Sequence, residues 1–166
     1  MADTGVIIAE NNKEILKSCK GGIRMQYQGP QMLEFQEKGD ERGNLIVCEG
    51  EGQDIPFSIK RIFYIYGSVP GVVRGQHANR ETEFVIINVA GSSKIKVEDG
   101  KGNEAVFILN RPRTGVYIPP MIWKEMYDFS EDSVLLCLAS EHYKPDEYIR
   151  SYEDFLKIVQ EENSEV

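Results

Sequence analysis

Between residues 40 and 139 the chain reads as roughly nine short stretches of strand period with no helical stretch between them, and this succession constrains the fold more than any other feature. The stretches are 44–49, 59–66, 72–76, 83–90, 94–98, 105–110, 115–118, 124–129 and 133–139. They are rich in Val, Ile, Phe and Tyr, and turns bearing glycine or proline separate them. Asp99-Gly100 stands between Lys94-Ile95-Lys96-Val97 and Ala105-Val106-Phe107-Ile108-Leu109, a strong hairpin signal. Parallel strands would need a crossover helix between neighbours, so this pattern predicts an antiparallel sandwich or barrel.

The two ends read differently. Residues 1–36 form an N-terminal extension, in which Asn11-Asn12 is placed to cap a short helix over 13–18 that Gly21-Gly22 ends. The barrel is expected over 37–140. Beyond it, Pro145-Asp146-Glu147 resembles a first helical turn. Tyr148, Tyr152, Phe155, Leu156 and Val159 then recur at three- and four-residue steps, predicting a helix over 145–160 packed on the β body. No repeat or linker divides the 166 residues, so one domain is expected.

A formal net charge of −8 argues against nucleic acid as a partner, because phosphate backbones need a basic face. It leaves a nucleotide ligand open, since a few arginines in one cavity suffice to hold a diphosphate. No apolar run reaches the roughly 18–20 residues of a membrane span, and the N-terminal stretch has an acidic residue and too little apolar length for a signal peptide. Three dispersed cysteines, Cys19, Cys48 and Cys137, suit reduced thiols serving as small core hydrophobes. The expectation is a soluble, cytoplasmic protein.

Of the two histidines, His142 reads as surface and His77 as site. Gly71, then His77, Asn79 and Glu83, resembles the first cupin motif, in which two histidines and a glutamate face into a jelly-roll barrel. Residues two apart on a strand share a face, which accounts for that spacing. Asn79 stands where the motif has its second histidine and is a poor transition-metal ligand. Lys124 stands where related proteins often carry a further histidine, and its cation opposes a divalent ion. A metal-free site is therefore expected.

The resemblance narrows with Val73-Arg74-Gly75-Gln76-His77-Ala78, Gly115-Val116-Tyr117-Ile118-Pro119-Pro120 with Trp123, and Asp146-Glu147-Tyr148-Ile149-Arg150-Ser151-Tyr152. In this order the segments resemble the WxcM-like nucleotide-sugar 3,4-ketoisomerases, cupin enzymes that act on dTDP-4-keto-6-deoxyglucose. The family pattern Arg-Gly-x-His-Ala-His-Lys reads here Arg-Gly-Gln-His-Ala-Asn-Arg, and Phe84 stands where the family tends to place glutamine.

The resemblance implies an all-β double-stranded β-helix (a cupin jelly roll) with a C-terminal α-helix, and a homodimer exchanging N-terminal strands. It also implies a dTDP-linked keto hexose as substrate and a carbonyl moved from C4 to C3 through an enediol, without metal or cofactor, in deoxy- or amino-sugar biosynthesis. Such chemistry needs a base for the C3 proton and donors for the enediolate. His77 is the expected base, since an imidazole titrates near operating pH. Arg74 either neutralises negative charge in the site or braces the barrel against Glu83 or Glu125. Tyr64 is the expected proton donor to the sugar oxygens, with Tyr66 on the same strand face. Asn79, Arg80, Glu83, Tyr66, Tyr117, Trp123 and Glu125 are the expected substrate contacts, with Arg80 either on phosphate or solvated and Trp123 half core, half cavity wall. A keto-sugar epimerase at C3 or C5 and a non-catalytic nucleotide-sugar-binding cupin stay open as alternatives.

Overall fold

The computed structural model describes residues 7–8 and 29–164. The early strands are β1 (Ile7–Ile8), β2 (Gln31–Glu34), β3 (Glu37–Asp40), β4 (Gly43–Ile46), β5 (Arg61–Tyr66) and β6 (Arg74–Asn79). The later ones are β7 (Phe84–Ala90), β8 (Ser93–Glu98), β9 (Glu104–Leu109), β10 (Thr114–Ile118), β11 (Trp123–Tyr127), β12 (Val134–Ala139) and β13 (Tyr148–Ile149). A 3-10 turn over Pro145–Glu147 precedes β13, and helix α1 (Tyr152–Ser164) follows it. The expected helix at 13–18 and Cys19 lie outside the described residues.

Two sheets face each other, one in the order β1-β9-β8-β11-β6-β13 and the other β2-β10-β7-β12-β5, while β3 and β4 form a separate hairpin. Apart from the parallel β1–β9 pair, the ladders between described strands are antiparallel. Between the sheets lies one core of Phe84, Ile86, Ile95, Val97, Phe107, Leu109, Val116, Ile118, Met126, Leu135 and Cys137. These are alternate residues of their strands, as a half-buried pleat requires.

Strand β7 breaks that alternation: Phe84 through Asn88 are buried without interruption. The reason is a second layer. Val85 and Ile87 turn to the outer face of the sheet, where Leu33, Phe35, Ile55 and Phe57 cover them. A strand covered on both faces reads as a continuous apolar run. A third cluster covers the outer face of the six-stranded sheet, with Ala78, Trp123 and Ile149 beneath Phe155 and Val159 of α1. Burying Phe155 completely is worth about 2–3 kcal/mol of transfer free energy.

Three boundaries differ from expectation, each for a visible cause. β2 pairs with β10 inside the five-stranded sheet, so the barrel begins before residue 37. β6 runs on to Asn79, because its last two residues gain a partner in β13. The helix begins at Tyr152, since the backbone of Tyr148 and Ile149 is committed to that pairing. Ser151 Oγ then accepts from the Asp154 N–H at 3.2 Å, capping the first turn. Among the described residues no helix is long and apolar enough to cross a membrane.

Two buried polar networks fix the loops around the sheets. Glu147 accepts from the Thr82 N–H at 2.5 Å, the Thr82 hydroxyl at 2.6 Å and the Glu81 N–H at 3.1 Å, fastening the 3-10 turn to the β6–β7 loop. Asn88 donates to Ser133 Oγ at 2.8 Å and to the Ala90 carbonyl at 2.9 Å, and it accepts from the Ser93 hydroxyl. Satisfied partners make such buried groups tolerable in an apolar interior.

Candidate active site

At one end of the barrel β6 and β12 finish while β5, β7 and β11 begin, and there the core gives way to polar side chains. Register sets which ones. Lys124 lies opposite His77 across the β6–β11 ladder, Asn79 follows two residues after His77, and Tyr148 lies opposite Asn79. Residues directly opposed across a ladder share a face, so all four point toward the interior. Arg61 joins them from β5, opposite Ala139, a member of the central core.

The local geometry of β6 is built by Gly75. Its φ is 84°, Gln76 follows at 53°, and the ladder to β11 shifts register between Lys124 and Glu125. A Cβ at Gly75 would lie 2.8 Å from the Lys124 carbonyl oxygen, so only glycine fits this bulge. The bulge turns the Gly75 carbonyl to within 2.9 Å of His77 Nδ1. A carbonyl can only accept, so Nδ1 carries the proton and Nε2 keeps its lone pair.

Electrostatics keep that imidazole neutral. Burial lowers the His77 pKa to about 4, with the Lys124 charge adding to the fall and Arg150 contributing less. The Gly75 carbonyl and Glu147 act the other way. The ring also packs at a tilt of 54°, 4.9 Å from Tyr148, and the Arg150 guanidinium lies 4.7 Å from the centre of the Tyr148 ring. Tyr143 extends this aromatic wall 5.5 Å beyond Tyr148, and Arg61 lies over Tyr143 and Phe63 at 5.7 and 5.4 Å.

Lys124 is the most unusual group here, an ammonium with 3% exposure. Its Nζ donates to Asn79 Oδ1 at 2.6 Å and sits 4.7 Å from the Phe84 ring centre. Desolvation lowers its pKa to about 7; the positive charge of Arg61 assists, while Cys137 and Glu147 oppose. Burial pushes the Cys137 thiol up to about 12, so it stays protonated. Asn79 Nδ2, Arg61 Nε and Arg61 Nη2 are buried and make no hydrogen bond among the described residues. A buried donor without an acceptor costs about 1–3 kcal/mol, and such a convergence of donors suits an oxygen-rich ligand. Among the described residues no group of three or more His, Cys, Asp or Glu side chains could hold a metal ion.

His77 and Asn79 are therefore the expected site residues that the fold brings together, and others fall elsewhere. Tyr64 is not placed to donate a proton to the site, because the alternation of β5 turns Arg61, Phe63 and Ile65 inward. Tyr64 and Tyr66 face out, 63% and 68% exposed. The inward phenol beside His77 is Tyr148. Glu83, expected to face the barrel interior, turns to the outer face of its sheet, where Tyr117 donates to its Oε2 at 2.6 Å. Phe84 takes the inward position instead.

Trp123 does not line the barrel interior: it is buried on the outer face of its sheet, 5.2 Å from Tyr152 and 5.8 Å from Phe155, where it walls a surface groove. Glu125, on the same outward phase, lines that groove with Trp123, Gln76, Lys96, Glu98 and Tyr152. Arg74 and Arg80 are exposed at the two ends of β6. Arg61, Lys124 and Tyr148 escaped the sequence reading as site residues. The phase of Arg61-x-Phe63-x-Ile65 and of Lys124-x-Met126 carries the first two, whereas helical spacing masked Tyr148.

Two antiparallel sheets around one apolar core, with a polar cluster at one end, make this chain a cupin, a double-stranded β-helix. It belongs to the family described as FdtA: WxcM-like, C-terminal, whose profile matches residues 28–160. A relative from Aneurinibacillus thermoaerophilus, TDP-4-oxo-6-deoxy-alpha-D-glucose-3,4-oxoisomerase, is 38% identical over 81% of this chain and 95% of its own. A 3,4-ketoisomerase from Helicobacter canadensis is 46% identical, covering 79% of this chain and 97% of that one, with a TM-score of 0.76. A single-site mutant of the 3,4-ketoisomerase QdtA from Thermoanaerobacterium thermosaccharolyticum, in complex with TDP-4-keto-6-deoxyglucose, is 36% identical over 82% of this chain and 97% of that one, at a TM-score of 0.77. The 3'-monoepimerase ChmJ from Streptomyces bikiniensis, 21% identical at a TM-score of 0.64, shares the fold alone.

Proposed function

We propose that the chain is a metal-independent 3,4-ketoisomerase of a TDP-linked 4-keto-6-deoxy hexose, with His77 as its carbon base. The observation that carries this reading is the fixed tautomer of His77, whose Nδ1–H is held by the Gly75 carbonyl so that a neutral Nε2 is free. Nε2 takes the C3 proton, the electron pair moves toward the C4 carbonyl, and the resulting imidazolium returns the proton to C4. Arg61 and Asn79 supply N–H groups for the enediolate oxygens. The apolar flank of Phe63, Phe84 and Tyr148 strengthens those interactions by excluding water.

Arg80, exposed just past the end of β6 that forms the site, is assigned to the diphosphate. The protein acts in the cytoplasm as a homodimer. The outer face of β5 supports the dimer, since Ile62, Tyr64 and Tyr66 are 61%, 63% and 68% exposed on an edge strand. The test is turnover of dTDP-4-keto-6-deoxyglucose carrying carbon-13 at C4. Loss of the labelled carbonyl resonance, with a labelled hydroxymethine and a new C3 carbonyl, is the expected result. A substrate that binds and stays unchanged would reduce the chain to a nucleotide-sugar-binding cupin.

A further inference from the structure

Moving a carbonyl between adjacent carbons requires two proton transfers, one between the carbons and one between the oxygens. His77 accounts for the first. Its Nε2 cannot hold the carbon-derived proton and serve the oxygens in the same step, so a second exchangeable group is needed within reach. The inward-facing ionisable groups at this end are Arg61, His77, Lys124, Cys137 and Tyr148, with Glu147 behind the site. A guanidinium offers donors only, Cys137 is held as a thiol by burial, both Glu147 oxygens are engaged by Thr82 and Glu81, and Tyr148 packs its ring against the imidazole itself. Lys124 remains.

Its placement fits the task. It faces His77 directly across the ladder, on the same inward face of the sheet. Nζ hydrogen-bonds Asn79 Oδ1, and that carboxamide's own NH2 lacks an acceptor among the described residues. An ammonium has three donors, which leaves capacity for a ligand.

Resting on the isomerase reading, we infer that Lys124 is the oxygen-side catalytic residue, carrying one proton between O3 and O4 of the bound sugar. The steps balance. As Nε2 takes the C3 proton, the Lys124 ammonium gives a proton to O4, forming the enediol, a neutral amine and an imidazolium. The amine then takes the O3 proton while the imidazolium protonates C4, which yields the 3-ketone and restores both groups. Burial, which brings Lys124 to about 7, makes it able to give and take a proton near neutral pH. Asn79 is a positioning residue, holding Nζ at 2.6 Å.

The test compares wild type, Lys124→Met, Lys124→Arg and Lys124→Ala on the 4-keto sugar, with binding of dTDP and thermal melting measured for each. Met and Arg variants should bind dTDP within about threefold of wild type and lose at least about 100-fold in kcat, Arg because it keeps charge but cannot release its proton. The Ala variant should regain activity with added methylammonium, a rescue that a purely structural lysine would not show. A wild type that isomerises while the Met variant stays within about threefold of it overturns this inference and leaves the function standing. Loss of activity in the Ala variant without methylammonium rescue also overturns it. A wild type that never converts the substrate refutes the isomerase reading and this inference with it.

Discussion

Replacing Lys124 by Met removes a single buried ammonium at nearly constant volume, and its effect on stability should depend on pH in a calculable way. In the folded chain burial brings Lys124 from its ordinary 10.5 to about 7. In the unfolded chain it returns to the ordinary value, so between pH 7 and 10.5 the unfolded state binds more protons. Stability therefore rises with pH across that window, and below it the full penalty of a buried charge applies.

At about 1.4 kcal/mol for each pH unit, the penalty is about 4–5 kcal/mol at pH 6 and fades below about 1 kcal/mol by pH 10. The Met variant lacks this titration. Its loss of the hydrogen bond to Asn79, about 1–3 kcal/mol, is constant with pH and sets only the offset. Cys137, raised to about 12, lowers stability above about pH 9 in both proteins and cancels in the difference. Arg61, His77 and Glu147, the other charged or titratable neighbours, are common to both proteins as well. Urea melts from about pH 6 to 10 should thus show the variant gaining on wild type by about 4 kcal/mol at the acid end relative to the alkaline end. Parallel stability curves would refute a buried, depressed lysine and the chemistry assigned to it.

Three further outcomes follow from the same geometry. His77→Asn should lower kcat by about 10³-fold or more while dTDP binding, followed by calorimetry, changes little. Because burial depresses His77 to about 4, wild-type stability should fall as pH drops from 6.5 toward 4, by about 2 kcal/mol relative to His77→Asn once partial exposure is allowed for; identical acid melts of the two proteins would contradict this. Gly91 has φ 64°, and a Cβ there would stand 2.3 Å from Ser130 Oγ and 2.8 Å from Ser133 Cα. Gly91→Ala should therefore cost about 2–3 kcal/mol in urea unfolding without changing turnover per folded molecule.

Period two is strong in the strands that carry the barrel, so β5 and β7 through β12 were legible to within two residues. What failed was phase and layer. Nothing local says which face of Arg-Ile-Phe-Tyr-Ile-Tyr turns inward, since both faces carry large apolar or aromatic side chains. Glu83 and Phe84 exchanged roles for the same reason, and the outer layer of Leu33, Phe35, Ile55 and Phe57 that captures the Glu83 side was invisible from β7 alone. Tyr148 sits in a helical spacing that its pairing with Asn79 overrides. His77 and Asn79 were legible because a motif spaced two residues apart puts them on one strand face. Lys124 stood out only as an obstacle to a metal, whereas its role depends on a cross-strand pairing that only the fold reveals.

The central claim, that His77 moves a proton between adjacent carbons of a keto sugar, is tested most directly by converting dTDP-4-keto-6-deoxyglucose in D2O and locating deuterium by NMR. The account predicts a 3-keto product whose C4 hydrogen is delivered by His77, with deuterium there only to the extent that the imidazolium exchanges with solvent before return, and neither product nor exchange in His77→Asn. Exchange at C3 with no 3-keto product formed would make the chain an epimerase, and turnover or exchange undiminished in His77→Asn would remove the histidine from the chemistry.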